Sequence, residues 1–110
     1  MPLVMAFNLQ RGDPAARIGQ AVTDALASLP ELRIERAEVD FVPLFNEAGD
    51  PDAIARINID LWRRDYRPKD GLEELADRVA RAFQSVVGQG RRVKVAIKPY
   101  AIEESGWVSR

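Results

Sequence analysis

The chain carries an internal repeat. Ile18, Val22, Leu26 and Leu29 lie on one helical stripe, and Leu75, Val79, Phe83 and Val86 lie on a second, at one constant offset. Val39, Phe41 and Pro43 fall on Val95, Ile97 and Pro99 at nearly the same offset. Each stripe has the three-to-four spacing of a helix with one buried face. Ahead of the first stripe, Leu3 to Leu9 is apolar at almost every position, as in a strand covered on both faces. Ahead of the second, Ile57, Ile59 and Leu61 alternate with Asn58, Asp60 and Trp62, the pattern of a half-buried strand. The chain therefore reads strand, helix, strand, twice over. A crossover helix of this length favours parallel pairing inside each unit. Two such units can share one four-stranded mixed sheet with both helices on one face. The expected fold class is α/β (α+β), with repeat one over about residues 2–44, repeat two over about 56–100 and a tail over 101–110. At 110 residues the whole chain fits one domain.

Local chemistry sets the expected boundaries. Asp13-Pro14 reads as an N-cap followed by proline at the first helical position, so the first helix is expected from Pro14 to Leu29, ended by Pro30. The second strand is expected over Arg33 to Val42, followed by a loop from Pro43 to Asp52 that holds Asn46, Gly49, Asp50 and Pro51. The second helix is expected from Asp70 to Val87, with Gly88 and Gly90 as left-handed caps. Val93, Val95 and Ile97 alternate with Lys94, Ala96 and Lys98 in a fourth strand stopped by Pro99. With both helices on one side, the other sheet face needs partial cover, because Met5 and Phe7 would lie on one side and Val4 and Ala6 on the other. Another copy of the chain is the simplest cover.

Composition narrows the chemistry. There is no Cys and no His, which removes disulfides, thiolate nucleophiles, the commonest metal ligand and the usual general base. No metal or cofactor is expected. A net charge of −1 offers no field for nucleic acid or an anionic membrane. No apolar run reaches the roughly 20 residues of a membrane span, and the start lacks a signal-peptide pattern, so a cytoplasmic location is the default expectation. Catalysis here would use Asp, Glu, Lys, Tyr, Arg or the chain's own amino terminus.

Pro2 is the candidate of that last kind. Once Met1 is removed, the chain begins with a secondary amine. An α-amino group titrates near about 7.7–8.0, and an apolar pocket or nearby cations would lower that value. Such an amine is a base suited to neutral pH without histidine. The plain alternative is that Met-Pro is only a common start. With Met1 retained, the nitrogen would be a tertiary amide without basicity.

Met-Pro-Leu-Val-Met-Ala-Phe opening directly into a strand, followed by two repeated strand-helix-strand units, resembles the tautomerase superfamily in its longer members, related to macrophage migration inhibitory factor. The resemblance spans the whole chain. Ile57 to Trp62 followed by an arginine loop and a helix is similar to that family's strand, Gly-Arg loop and helix. Glu103-Glu104-Ser105-Gly106-Trp107 is similar to its carboxy-terminal Asn-Trp-Gly type segment, in altered order. The resemblance implies a trimer whose sheets form a central barrel, and an amino-terminal proline, here Pro2, as acid or base. It also implies that Arg63 and Arg67 bind a substrate carboxylate, that Arg33 supplies a cation near the start of the second strand, and that Tyr100 and Glu103 act just past the fourth strand. Arg suits carboxylates because its planar fork makes two charge-assisted bonds. The chain departs from the family's pattern at the loop, where Arg64-Asp65-Tyr66 stands without the usual preceding glycine.

Each of these positions also has a plainer reading. Arg63 and Arg67 can be a solvated basic loop beside Asp65 and Asp70, Tyr100 and Glu103 exposed polar groups, and Trp107 a packing residue under the tail. Arg11-Gly12-Asp13 reads as a turn plus helix cap, and Glu73, Glu74, Asp77, Arg78 and Arg81 as the solvated face of the second helix. Three functions stay open. The first is an enzyme that moves a proton next to a carbonyl of a small carboxylate, with a dehalogenase- or hydratase-like variant in which Glu103 activates water. The second is a non-catalytic trimer that retains Met1. The third is a ferredoxin-like binding domain, which shares the two-repeat layout but lacks exposed aromatics for stacking bases.

Overall fold

In a computed structural model describing residues 2–106 and 108–110, the two repeats lie side by side in one sheet. The first unit is β1 (Leu3–Leu9), α1 (Ala15–Leu26) and β2 (Asp40–Phe45). The second is β3 (Ala55–Trp62), α2 (Lys69–Val87) and β4 (Val93–Tyr100). Strand order is β2-β1-β3-β4. β1 pairs parallel with β2, β3 pairs parallel with β4, and the two leading strands pair antiparallel at the centre. This is the four-stranded mixed sheet expected from the repeat. Met1 and Trp107 lie outside the described residues, and with them the packing role expected of Trp107.

Alternation along the strands decides which side is core. Val4, Ala6, Ile57, Ile59 and Leu61 are buried on the face that meets Ile18, Val22 and Leu26 of α1 and Leu75, Val79 and Phe83 of α2. The helices pack against each other as well as against the sheet. Gly19 lets α1 lie close against β2, since a Cβ there would meet the Phe41 ring at 2.8 Å. On the opposite face the register sets Asp40, Leu3, Asp60 and Lys98 in one row and Val42, Met5, Asn58 and Ala96 in the next. Leu3, Met5 and Phe7 are only half-buried there, and Val42 and Leu44 are exposed.

Several boundaries differ from the sequence reading, each for a local reason. Asp13 does not cap α1. The N-cap is Pro14, without a side-chain cap, and the Asp13 carboxylate instead accepts from the Gln10 N–H at 2.8 Å and from Arg91. Helix α1 stops at Leu26, and Pro30 opens a separate 3₁₀ turn, Pro30–Leu32. Residues 33–39 are not strand. Leu32 and Ile34 drop into the core, Arg33 turns left-handed (φ 55°), and a second 3₁₀ turn spans Arg36–Glu38 before β2 begins. Pro43 and Pro99 lie inside β2 and β4 rather than ending them. Both strands are sheet edges, where a proline can turn its donorless nitrogen to the unpaired side. Gly88 ends α2 with a positive φ (111°), but its ψ of 148° takes it out of the left-handed cap conformation that was expected, and Gly90 is not among the positive-φ residues. The α2 face is solvated as expected, with Glu74–Arg78 and Asp77–Arg81 pairs one turn apart. No helix among the described residues is long and apolar enough to cross a membrane.

Candidate functional site

The strand directions gather all six sequence candidates at one end of the sheet. There β1 and β2 begin while β3 and β4 finish, as the row Asp40, Leu3, Asp60 and Lys98 shows. Pro2 is buried at the head of β1, and its carbonyl accepts the Asp40 N–H at 3.0 Å. Because Leu3 pairs with Asp60, continuing that register by one residue sets Pro2 beside Leu61, next to the last residue of β3.

Arg67 ties this end together. Its Nε donates to the Leu32 carbonyl at 2.9 Å, Nη1 to Trp62 at 2.9 Å and Nη2 to Arg33 at 3.4 Å. The end of β3 is thereby joined to the segment between α1 and β2. Partial burial pulls the Arg67 guanidinium below its ordinary value, and Arg64 pulls the same way; arginine stays charged regardless. Tyr66 stacks with both neighbours, 4.4 Å from the Arg33 guanidinium carbon and 5.3 Å from that of Arg67. Arg33 and Arg67, far apart in sequence, are therefore brought onto one aromatic ring.

Arg63 lies on the outer side. Its N–H donates to the Tyr100 carbonyl at 2.6 Å, fixing the loop to the end of β4. With Arg64, Arg67 and Lys69 it rims a cleft of about 580 Å³ between α2 and edge strand β4. The floor of that cleft is apolar, made of Leu72, Ala76, Val95, Ile97 and Pro99. Four basic side chains over an apolar floor, against Asp65 and Glu73, suit a small anion with an apolar part. Tyr100 is 38 % exposed and shares the open sheet face with Lys98 and Ala96. Pro2 follows the parity of Val4 and Ala6 on the helix side, and two inter-strand steps of about 4.8 Å separate the strands. Within one chain Tyr100 is thus not brought to Pro2. Glu103 is exposed in the 3₁₀ turn Ile102–Glu104 that follows β4.

Tyr66 is the residue whose part in this cluster the sequence reading missed. It was visible only as the aromatic member of an arginine-rich loop, and its stacking partner Arg33 comes from the other repeat. Among the described residues no group of three acidic side chains is placed to hold a metal ion.

No family model matches the chain, and no curated protein matches it. Solved structures do. A fused 4-OT described as a wild type asymmetric trimer superposes with a TM-score of 0.77 at 15% identity, over 96% of this chain and 91% of that one. A 5-carboxymethyl-2-hydroxymuconate delta-isomerase gives 0.69 at 15% identity, over 100% and 88%. The macrophage migration inhibitory factor of Toxoplasma gondii gives 0.62 at 14% identity, over 98% and 97%. At these identities the likeness is one of fold. The chain has the tautomerase/MIF fold, and the superfamily resemblance drawn from its sequence holds at that level.

Proposed function

We propose that the chain is a tautomerase-like enzyme that moves a proton next to a carbonyl of a small carboxylate substrate. Pro2, made the amino terminus by loss of Met1, is its acid/base. The observation that carries this reading is a buried Pro2 beside the end of β3, where Arg67 holds the Trp62 carbonyl and is linked to Arg33. Burial disfavours a protonated amine, so the Pro2 nitrogen would titrate below an ordinary α-amino group. Neutral near pH 7, it takes the proton from the carbon beside the carbonyl and becomes an ammonium. The electron pair left on carbon forms the enolate, and the same proton returns to another position. The arginines hold the carboxylate in place during the transfer.

Tyr100 would donate to the enolate oxygen. Its position on the open face means that it would serve a site completed by a second copy. A homo-oligomer, and specifically a trimer, fits the apolar residues Leu3, Met5 and Val42 on that face and the trimeric fused 4-OT neighbours. Glu103 would activate water only in a hydratase- or dehalogenase-like variant of the reaction.

The test is exchange of the C3 protons of phenylpyruvate, a 2-oxo acid, in deuterium oxide. Exchange should be catalysed by the natively produced protein and fall by orders of magnitude in Pro2→Ala, with the fold kept. Unchanged exchange in that variant excludes the mechanism. The second reading, a non-catalytic oligomer retaining Met1, draws on one observation: all three Arg67 nitrogens already donate to backbone carbonyls. Intact mass separates the two, since loss of one methionine belongs only to the enzyme.

A further inference from the structure

Arg67 and Arg33 differ in what their guanidinium groups have left to offer. Arg67 makes three hydrogen bonds to backbone carbonyls, one from each nitrogen. A carboxylate arriving there would have to share a fork that already holds Leu32, Arg33 and Trp62. The Arg33 side chain is exposed, and among the described residues its guanidinium has no hydrogen-bond acceptor. Among the described residues it stacks on the face of Tyr66, an arrangement that leaves the edges of the guanidinium plane open.

The backbone of Arg33 is itself constrained. With φ 55° and ψ 44° it occupies the left-handed region that non-glycine residues seldom enter, immediately after the Pro30–Leu32 turn. Its N–H donates to the Pro30 carbonyl at 3.1 Å, and its carbonyl accepts from Arg67. The residue before it, Leu32, is buried and its carbonyl is also held by Arg67. Arg67 thus fixes the backbone at Arg33, and Tyr66, its chain neighbour, meets the side chain. Through the Trp62 carbonyl the same Arg67 is fixed to the end of β3, beside which Pro2 leads into β1.

We propose that Arg67 and Tyr66 are positioning residues, and that together they present Arg33 as the cation that binds the substrate carboxylate at the Pro2 end of the sheet. This rests on the tautomerase-like reading above and divides the labour among its arginines. The preorganised group is Arg33, which keeps its charge and both edges of its fork. Arg67 contributes geometry and the aromatic ring contributes orientation.

The experiment uses the full-length protein with ¹⁵N-labelled arginine and 2-oxobutyrate as the probe. Titration should give a saturable shift of the Arg33 Nε–H resonance, while Arg67 Nε–H, held by Leu32, stays protected from solvent exchange and moves little. Tyr66→Phe keeps the ring face and should bind as the parent does. Tyr66→Leu should weaken binding about twofold to fivefold, the range of an exposed cation–π contact. Arg67→Lys, which keeps the charge without the fork, should weaken it at least as much. Arg33→Ala should abolish 2-oxobutyrate binding, read from line broadening of the ligand because the Arg33 resonance is gone, and Arg33→Lys should restore part of it. The proposal is overturned by a probe shift on Arg67 instead of Arg33, by parental affinity in Tyr66→Leu, by parental ligand broadening in Arg33→Ala, or by no saturable shift. Should Tyr66→Leu fail to fold, the Arg33 and Arg67 resonances of the parent still decide the matter. Full C3 exchange in Pro2→Ala with the Arg33 response intact would overturn the catalytic reading and leave the clamp. Loss of exchange in Pro2→Ala with the shift on Arg67 would do the reverse.

Discussion

Replacing Asp13 should cost more stability than any other single surface-charge change in this fold. Its carboxylate receives Arg91 as a fork, Nη1 to Oδ1 at 2.8 Å and Nη2 to Oδ2 at 3.0 Å, and also the Gln10 N–H at 2.8 Å. The pair joins the turn before α1 in one repeat to the turn before β4 in the other. Asp13 is 11 % exposed and Arg91 20 %, so water screens it little. Arg91 also lies 5.6 Å over the Phe83 ring, and its carbonyl accepts from Gln84. A hydrogen bond to a charged group contributes about 1.5–3 kcal/mol net, and losing one partner of a fully buried pair costs about 3–5 kcal/mol. For this partly buried pair we expect Asp13→Ala to destabilise by about 2–3 kcal/mol. Urea unfolding at fixed protein concentration should show the midpoint falling by about 1–2 M. The control is Arg36→Ala, which breaks the Asp24 pair where the partners are 65 % and 47 % exposed, and should cost no more than about 0.5 kcal/mol. Burial alone would raise the Asp13 carboxyl, but the hydrogen bonds from Arg91 and Gln10 outweigh it and hold it below the usual carboxylate value. A carboxyl depressed in the folded state stabilises above its unfolded pKa, and that contribution is lost as pH falls through the folded one. The gap between parent and Asp13→Asn should therefore be full at pH 7 and close progressively below about pH 4. Equal midpoints for Asp13→Ala and Arg36→Ala, or a gap that ignores pH, would show that the Asp13–Arg91 pair does not carry this stability.

Gly19→Ala should destabilise by about 1–2 kcal/mol even though alanine is the better helix former by roughly 1 kcal/mol, because the new methyl would lie 2.8 Å from the Phe41 ring; thermal unfolding reads it. Met5→Asp puts a charge in the middle of the open-face row with Val42 and Ala96, and sizing should show a smaller assembly than the parent's. If the assembly is unchanged, that face is not where the copies meet.

The architecture was legible because it rests on periodicity. The two helical stripes, with three members of each fully buried, and the alternation of Ile57, Ile59 and Leu61 needed no long-range information. What failed was local. Asp13 sits where a cap would, but Arg91, seventy-odd residues away, claims its carboxylate. The β-branched content after Arg33 suggested strand, yet Leu32 and Ile34 have core positions to fill, and the left-handed Arg33 redirects the chain into a second turn. Pro43 and Pro99 suggested strand ends because nothing in the sequence says which strands are edges. For the site, the residue types were visible and their grouping was not. Arg33 and Tyr66 meet only because the two repeats share one sheet end.

The proposed chemistry requires a free, titratable nitrogen on Pro2. The most direct measurement is the ¹⁵N chemical shift of that nitrogen followed with pH in natively produced protein. A secondary amine with its midpoint below the ordinary α-amino value of about 7.7–8.0 is the predicted result. A nitrogen that does not titrate, with the shift of an amide joined to methionine, would contradict it.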